Sequence, residues 1–237
     1  MANNKIVILS TRPVGKAAQE KALRHHIHIE EIPFIKTEES IDATKAGIIR
    51  KLIDQKIAVV FTSMNAVEAV HKQVKGKTNW EIFCIGNTTQ KLVNKYFGEK
   101  NISGFADNAS KLAEVIVAKK NVQKVIFFCG YQRRDELPEE LKKSMIQVEE
   151  IVVYKTMAIP QNISKQYDAV LFFSPSAVKS FFSINEINSS TKLFAIGETT
   201  ANEIRNFTQQ SVFVADKPGK ENLVELAINY FSKSHIL

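Results

Sequence analysis

Short apolar runs recur along the chain and alternate with amphipathic stretches. The runs are residues 6–10 (IVILS), 28–35 (HIEEIPFI), 57–62 (IAVVFT), 82–85 (IFCI), 102–105, 125–129 (VIFFC), 148–155 (VEEIVVYK), 169–173 (AVLFF), 193–196 (LFAI) and 211–215 (SVFVA). Most are near-continuous and rich in β-branched and aromatic residues, as strands covered on both faces of a parallel sheet require. Between them, residues 15–25, 43–55, 65–75, 87–97, 110–119, 136–145, 176–183, 198–207 and 220–232 carry a helical period. Strand–helix alternation predicts an α/β protein with an open, doubly wound sheet.

The pattern repeats. Phe83-Cys84-Ile85-Gly86-Asn87-Thr88-Thr89 matches Phe194-Ala195-Ile196-Gly197-Glu198-Thr199-Thr200, and Phe61-Thr62-Ser63 with Ala66-Val67 matches Phe172-Phe173-Ser174 with Ala177-Val178, both at an offset of 111. Glu30-Glu31-Ile32 through Thr37 matches Glu149-Glu150-Ile151 through Thr156 at 119, and the same offset carries Ile6–Leu9 onto Val125–Phe128. The order βαβ–link–βαβαβα therefore occurs twice. The two copies are expected to present their Ser/Thr-rich strand ends to a shared cleft.

In such sheets ligands bind beyond the carboxyl ends of the strands. That layer holds Ser10-Thr11-Arg12-Pro13, Thr62-Ser63-Met64-Asn65, Gly86-Asn87-Thr88-Thr89, Gly130 to Arg134, Ser174-Pro175-Ser176 and Gly197-Glu198-Thr199-Thr200. Ser, Thr and Asn there can simply cap the following helix. The same helix starts offer N–H donors to an anion, and Arg12, Arg133 and Arg134 add forks suited to carboxylates. Tyr154 stands where the other copy has Ile35; a phenol can donate a proton or anchor a half-buried strand.

Composition narrows the chemistry. The chain has 237 residues, 44% of them hydrophobic and 24% charged, so it is globular rather than disordered. No apolar run approaches the ~20 residues of a membrane span, and Met1 to Lys5 lead into a strand without the apolar core of a signal peptide. Cys84 and Cys129 sit in apolar runs and read as buried reduced thiols. These features point to the cytoplasm. The net charge of +7 favours an anionic partner, but the lysines are dispersed, against nucleic acid. There is no Walker A and no G-x-G-x-x-G motif. The cluster of His25, His26 and His28 lacks the further ligands of a metal site.

Taken in order, Phe61 to Val67, Ile85 to Thr89, Phe128-Cys129-Gly130 with Arg133 to Pro138, Val153-Tyr154-Lys155-Thr156, Phe172 to Val178 and Ile196 to Ala201 resemble the uroporphyrinogen-III synthase family. The resemblance spans essentially the whole chain; Met64-Asn65 departs from the proline or arginine-bearing pair more frequent there. It implies two flavodoxin-like domains with parallel sheets, residues 1–35 plus 160–237 and residues 36–159. A two-stranded β connector, about 30–38 and 152–160, would join them and allow a hinge. Residues alone do not choose this exchange over two sequential domains. It further implies a cofactor-free, metal-free lyase, monomeric and without membrane or nucleic-acid partners. Its substrate is the linear tetrapyrrole hydroxymethylbilane, with eight carboxylates. By this resemblance Tyr154 matches the proposed proton donor, and Arg12, Thr62, Ser63, Asn87, Thr89, Arg133, Arg134, Ser174, Thr199 and Thr200 would contact substrate. The alternative is a non-enzymatic two-domain protein that binds an acidic metabolite.

Overall fold

The computed structural model describes residues 5–217 and 219–234. The first copy contains β1 (Ile6–Ser10), α1 (Lys16–Arg24), β2 (Ile27–Glu31), β3 (Ile35–Glu39) and α2 (Ala43–Leu52). It continues through β4 (Ala58–Phe61), α3 (Met64–His71), β5 (Glu81–Ile85), α4 (Asn87–Phe97), β6 (Ile102–Ala106) and α5 (Ala109–Val117). The second copy contains β7 (Lys124–Gly130), α6 (Glu136–Lys143), β8 (Gln147–Ala158), β9 (Ala169–Phe172) and α7 (Pro175–Phe182). It ends with β10 (Lys192–Ala195), α8 (Glu198–Arg205), β11 (Val212–Val214) and α9 (Lys220–Ser234).

The chain divides into two compact units, Met1–Lys36 with Met157–Leu237, and Thr37–Thr156. Their sheets run β11-β10-β9-β1-β2 and β6-β5-β4-β7-β8-β3. β1 pairs in parallel with β9, and β7 with β4. Each βαβ piece thus completes the sheet of the other copy's longer piece, which is the arrangement the sequence left open. Apart from edge strand β3, both units have one strand order, with the direction of travel reversing between β1 and β9 and between β7 and β4. Those reversals are the switch points at which doubly wound sheets bind ligands.

Strands that are apolar on both faces need cover on both. In the discontinuous unit, Ile8, Leu171 and Phe194 pack with Ala22 of α1 and with Leu223, Ala227, Ile228 and Phe231 of α9. Leu9, Val170 and Phe172 face Ala177, Val178 and Phe181 of α7 and Ala201 and Ile204 of α8. In the continuous unit, Phe61, Trp80 and Phe128 form one face, with Phe61 and Phe128 stacked at 5.5 Å between ring centres. Val60, Phe83 and Phe127 form the other, under Leu112 of α5 and Leu137 and Leu141 of α6.

One expected strand is two. Residues 28–35 read as a single run, but β2 ends at Glu31 and β3 begins at Ile35. Pro33 lies between them and has no N–H to give a ladder.

Candidate functional site

At the switch point of the discontinuous unit, the hydrogen bonds are made by the backbone of β1 and its own hydroxyls. Thr11 is fully buried; its N–H and its Oγ1 both donate to the carbonyl of Leu171, at 3.1 and 2.8 Å. Ser10 Oγ donates to the carbonyl of Arg12 at 2.6 Å. These bonds turn the chain out of the sheet and leave Arg12 exposed, its guanidinium 5.9 Å from the centre of the Phe173 ring. Arg12 makes no ion pair with the described residues, so its charge is available to an anion.

The helices after the next strands begin in two ways, and both units show the same pair. α3 and α7 start on Ser63 and Ser174, whose hydroxyls accept from Ala66 N–H at 3.4 Å and Ala177 N–H at 3.2 Å. α4 and α8 start on Gly86 and Gly197, which have no side chain with which to cap. Their first N–H groups are therefore open to an anion, and the helix dipole favours negative charge there. Gly86 has φ of +74°, a conformation that excludes most side chains.

Asn87 and Thr199 are exposed at these starts and Thr62 is half-buried. Thr89 and Thr200 are largely buried, keeping only 6% and 3% of their surface. The exposed partner of Thr199 in the other copy is Thr88, which sequence reasoning passed over although the offset of 111 pairs the two.

At the switch point of the continuous unit, Arg133 lies partly buried in the loop after β7. Its Nε donates to Glu150 and its Nη1 to Asp135. These two carboxylates raise its pKa, the hydrogen bond to Glu150 contributing most. Its charge is already balanced, which corrects the expectation of a free fork; Arg134 is exposed and makes no ion pair with the described residues.

Tyr154 is half-buried within β8, level with the end of β7, and packed against the Phe61–Phe128 face. The ladder between β7 and β8 shifts register here: Cys129 pairs with Val152, but Gly130 pairs with Tyr154. The Tyr154 carbonyl accepts from Tyr131 N–H at 2.9 Å, which ties the end of β8 to the loop after β7. The phenol donates to no described residue, so its proton is uncommitted.

Two other features carry less. A cavity of about 430 Å³ in the same unit is lined by Lys56, Glu81, Lys124 and Glu149 among others. It lies at the amino ends of β4 and β7, and its lysines are paired with its glutamates at 3.6 and 2.6 Å. The two thiols are buried, and burial pushes each up to about 11, with Glu150 adding to the effect at Cys129. They stay protonated at neutral pH and are poor nucleophiles. Among the described residues no His, Cys, Asp or Glu cluster is arranged to hold a metal, and no helix is long and apolar enough to cross a membrane.

The chain is similar to known proteins in sequence and in fold. A curated uroporphyrinogen-III synthase of Saccharomyces cerevisiae is 23% identical over 203 residues, covering 70% of this chain and 74% of the yeast protein. A crystal structure of uroporphyrinogen-III synthetase from Helicobacter pylori superposes with a TM-score of 0.67 at 18% identity, over 95% of this chain and 99% of that one. A mutant uroporphyrinogen III synthase from Thermus thermophilus gives 0.61 at 12% identity, over 96% and 99%. The last two show a shared fold. The family model described as HEM4, uroporphyrinogen-III synthase HemD, matches residues 16–225, and on that match the chain belongs to the uroporphyrinogen-III synthase family.

Proposed function

We propose that the chain acts as a uroporphyrinogen-III synthase, a cyclising lyase, and that Tyr154 protonates the leaving hydroxyl of hydroxymethylbilane. The observation that carries the assignment of the residue is its uncommitted phenol beside Gly130, the carboxyl end of β7, in the strand-end layer where this fold binds ligands. The pyrrole nitrogen lone pair expels the hydroxyl. The C–O bond breaks and the Tyr154 proton leaves with the hydroxyl as water. The substituted carbon of ring D then bonds to the resulting cation, and its bond to its original methylene breaks to give a second cation. The free α-carbon of ring D bonds to that methylene, which closes the macrocycle with the ring inverted, and the proton it loses restores the phenol, so the net change is loss of one water. Departure of the hydroxyl is easy, so most of the enzyme's work is positioning.

The eight carboxylates are the natural partners of Arg12, Arg134, Asn87, Thr199 and Thr62, and of the N–H groups that open α4 and α8. Ser63 and Ser174 keep their hydroxyls on their own helices, and the Thr200 N–H is taken by the Gly197 carbonyl, so the open backbone donors are those of the first two residues of α8 and the first turn of α4. β3 and β8, in which the chain passes between its two units, are read as the two-stranded connector.

Tyr154→Phe removes the proton and keeps the shape. Turnover to the type III isomer should fall at least tenfold, with KM changed less than threefold. An unchanged kcat for Tyr154→Phe would remove the acid role. Failure of the native protein to raise the type III isomer above the spontaneous type I product would favour a non-catalytic binder of an acidic metabolite.

A further inference from the structure

We infer that Gly130 is the positioning residue for the Tyr154 phenol: its missing side chain is the space in which the ring lies. The inference rests on the proton-donor reading of Tyr154.

The ring lies directly on the α-carbon. A Cβ built on Gly130 would fall 2.5 Å from Cζ, 2.7 Å from Cε2 and 2.8 Å from Oη of Tyr154. Carbon atoms in contact sit about 3.5–4.0 Å apart. Any side chain here would therefore push the phenol end of the ring by roughly 1 Å. Gly130 is not among the glycines with positive φ. Its need is for room, not for an unusual backbone.

The bulge makes this contact possible. Along β8 the side chains alternate: Ile151 packs with the Phe61–Phe128 face and Val152 with the Leu137–Leu141 face. A regular strand would return Val153 to the first face and send Tyr154 to the second, under α6. Both Val153 and Tyr154 instead pack on the first face, because the register shifts between Cys129 and Gly130. Phe128 points to that face and Cys129 to the other, so the open side of Gly130 is the side on which the ring arrives. The backbone of the bulge is held from both flanks. Ser40 N–H donates to the Val153 carbonyl at 2.8 Å, and Tyr131 N–H to the Tyr154 carbonyl at 2.9 Å.

The internal repeat supports the pairing. At the offset of 119, Tyr154 corresponds to Ile35 and Gly130 to Thr11. Thr11 carries a side chain and uses it to bond Leu171 across its own switch point. The copy with tyrosine has glycine at the end of its first strand; in the other copy the chain leaves the sheet at Glu31, Ile35 stands in β3 of the other sheet, and Thr11 keeps its side chain.

The test is a double-mutant cycle on the full chain with hydroxymethylbilane. Gly130→Ala should lower kcat for the type III isomer between tenfold and a hundredfold, the cost of about 1 Å of misplacement, with KM within threefold. With phenylalanine already at 154, the same change should cost less than threefold. An equal loss in both backgrounds, or full turnover in Gly130→Ala, overturns the inference. Should Gly130→Ala fail to fold, Gly130→Ala with Tyr154→Ala must unfold at the urea midpoint of Tyr154→Ala alone; a defect that persists without the ring overturns it as well. Full turnover in Tyr154→Phe removes the donor reading and this inference with it. Loss in Tyr154→Phe with none in Gly130→Ala removes this inference only.

Discussion

Cys84 and Cys129 are each the penultimate residue of a buried strand, and their ionisation is tied to folding. Both thiols are moved from an ordinary value near 9 up to about 11, by burial first. Below pH 9 the folded and unfolded chains both hold these protons, and the thiols have no effect on the balance. Between about 9 and 11 the unfolded chain releases them and the folded chain does not, so stability falls as pH rises through that window. The urea midpoint should therefore drop between pH 8.5 and pH 10.5, and the drop should be smaller in Cys84→Ala with Cys129→Ala. An equally steep drop without the thiols would assign the effect to other groups. The three arginines show how unevenly a site can be read at this scale. In sequence, Arg12, Arg133 and Arg134 are equivalent members of one layer. Only the fold brings Glu150, seventeen residues away, onto Arg133, and no spacing rule announces a pairing between a loop and a neighbouring strand.

The helices of the strand-end layer divide their work. α3 and α7 close their own first turns with Ser63 and Ser174, whereas α4 and α8 leave theirs open on glycine. Ser63→Ala and Ser174→Ala should each cost about 1 kcal/mol of unfolding free energy and change kcat less than threefold. Urea unfolding and the isomer assay check both halves. A large loss of turnover at normal stability would give the serine hydroxyl a role at the substrate. The elements themselves were largely legible, because a strand buried on both faces, such as Ala58–Phe61 or Ala169–Phe172, is an unbroken apolar run. β3 did not stand out as a separate run in the hydrophobic pattern for the opposite reason. It is an edge strand, and the polar Lys-Thr-Glu-Glu at 36–39 is what an edge exposes to water. The β8 bulge was illegible too. The run Val152-Val153-Tyr154 reads as regular alternation, and the shift exists only relative to β7. Burial of Thr89 beside exposed Thr88 depends on the phase of α4 against its sheet, which composition does not reveal.

The repeat in the sequence does not mark the units in the fold. Each copy of about 119 residues supplies two strands to one sheet and at least three to the other. β1 relies on β9, 160 residues further on, through Thr11 and Leu171. A chain cut at the repeat boundary, near residue 120, leaves β1 and β2 as a parallel pair without β9, and β4 without β7. Parallel pairs are not stable alone; they need cover on both faces and a continued ladder. Cutting instead at the unit boundary keeps β4 to β8 together with both of their apolar faces. Residues 37–156, expressed alone, should therefore fold and unfold in a single cooperative urea transition. Residues 1–119 and 120–237, each expressed alone, should lack one. Far-UV circular dichroism through a urea titration distinguishes the cases. A cooperative transition in residues 1–119 would mean that the sequential pairing of the copies is a stable fold in its own right, and that the exchange of βαβ pieces is not what holds each sheet together.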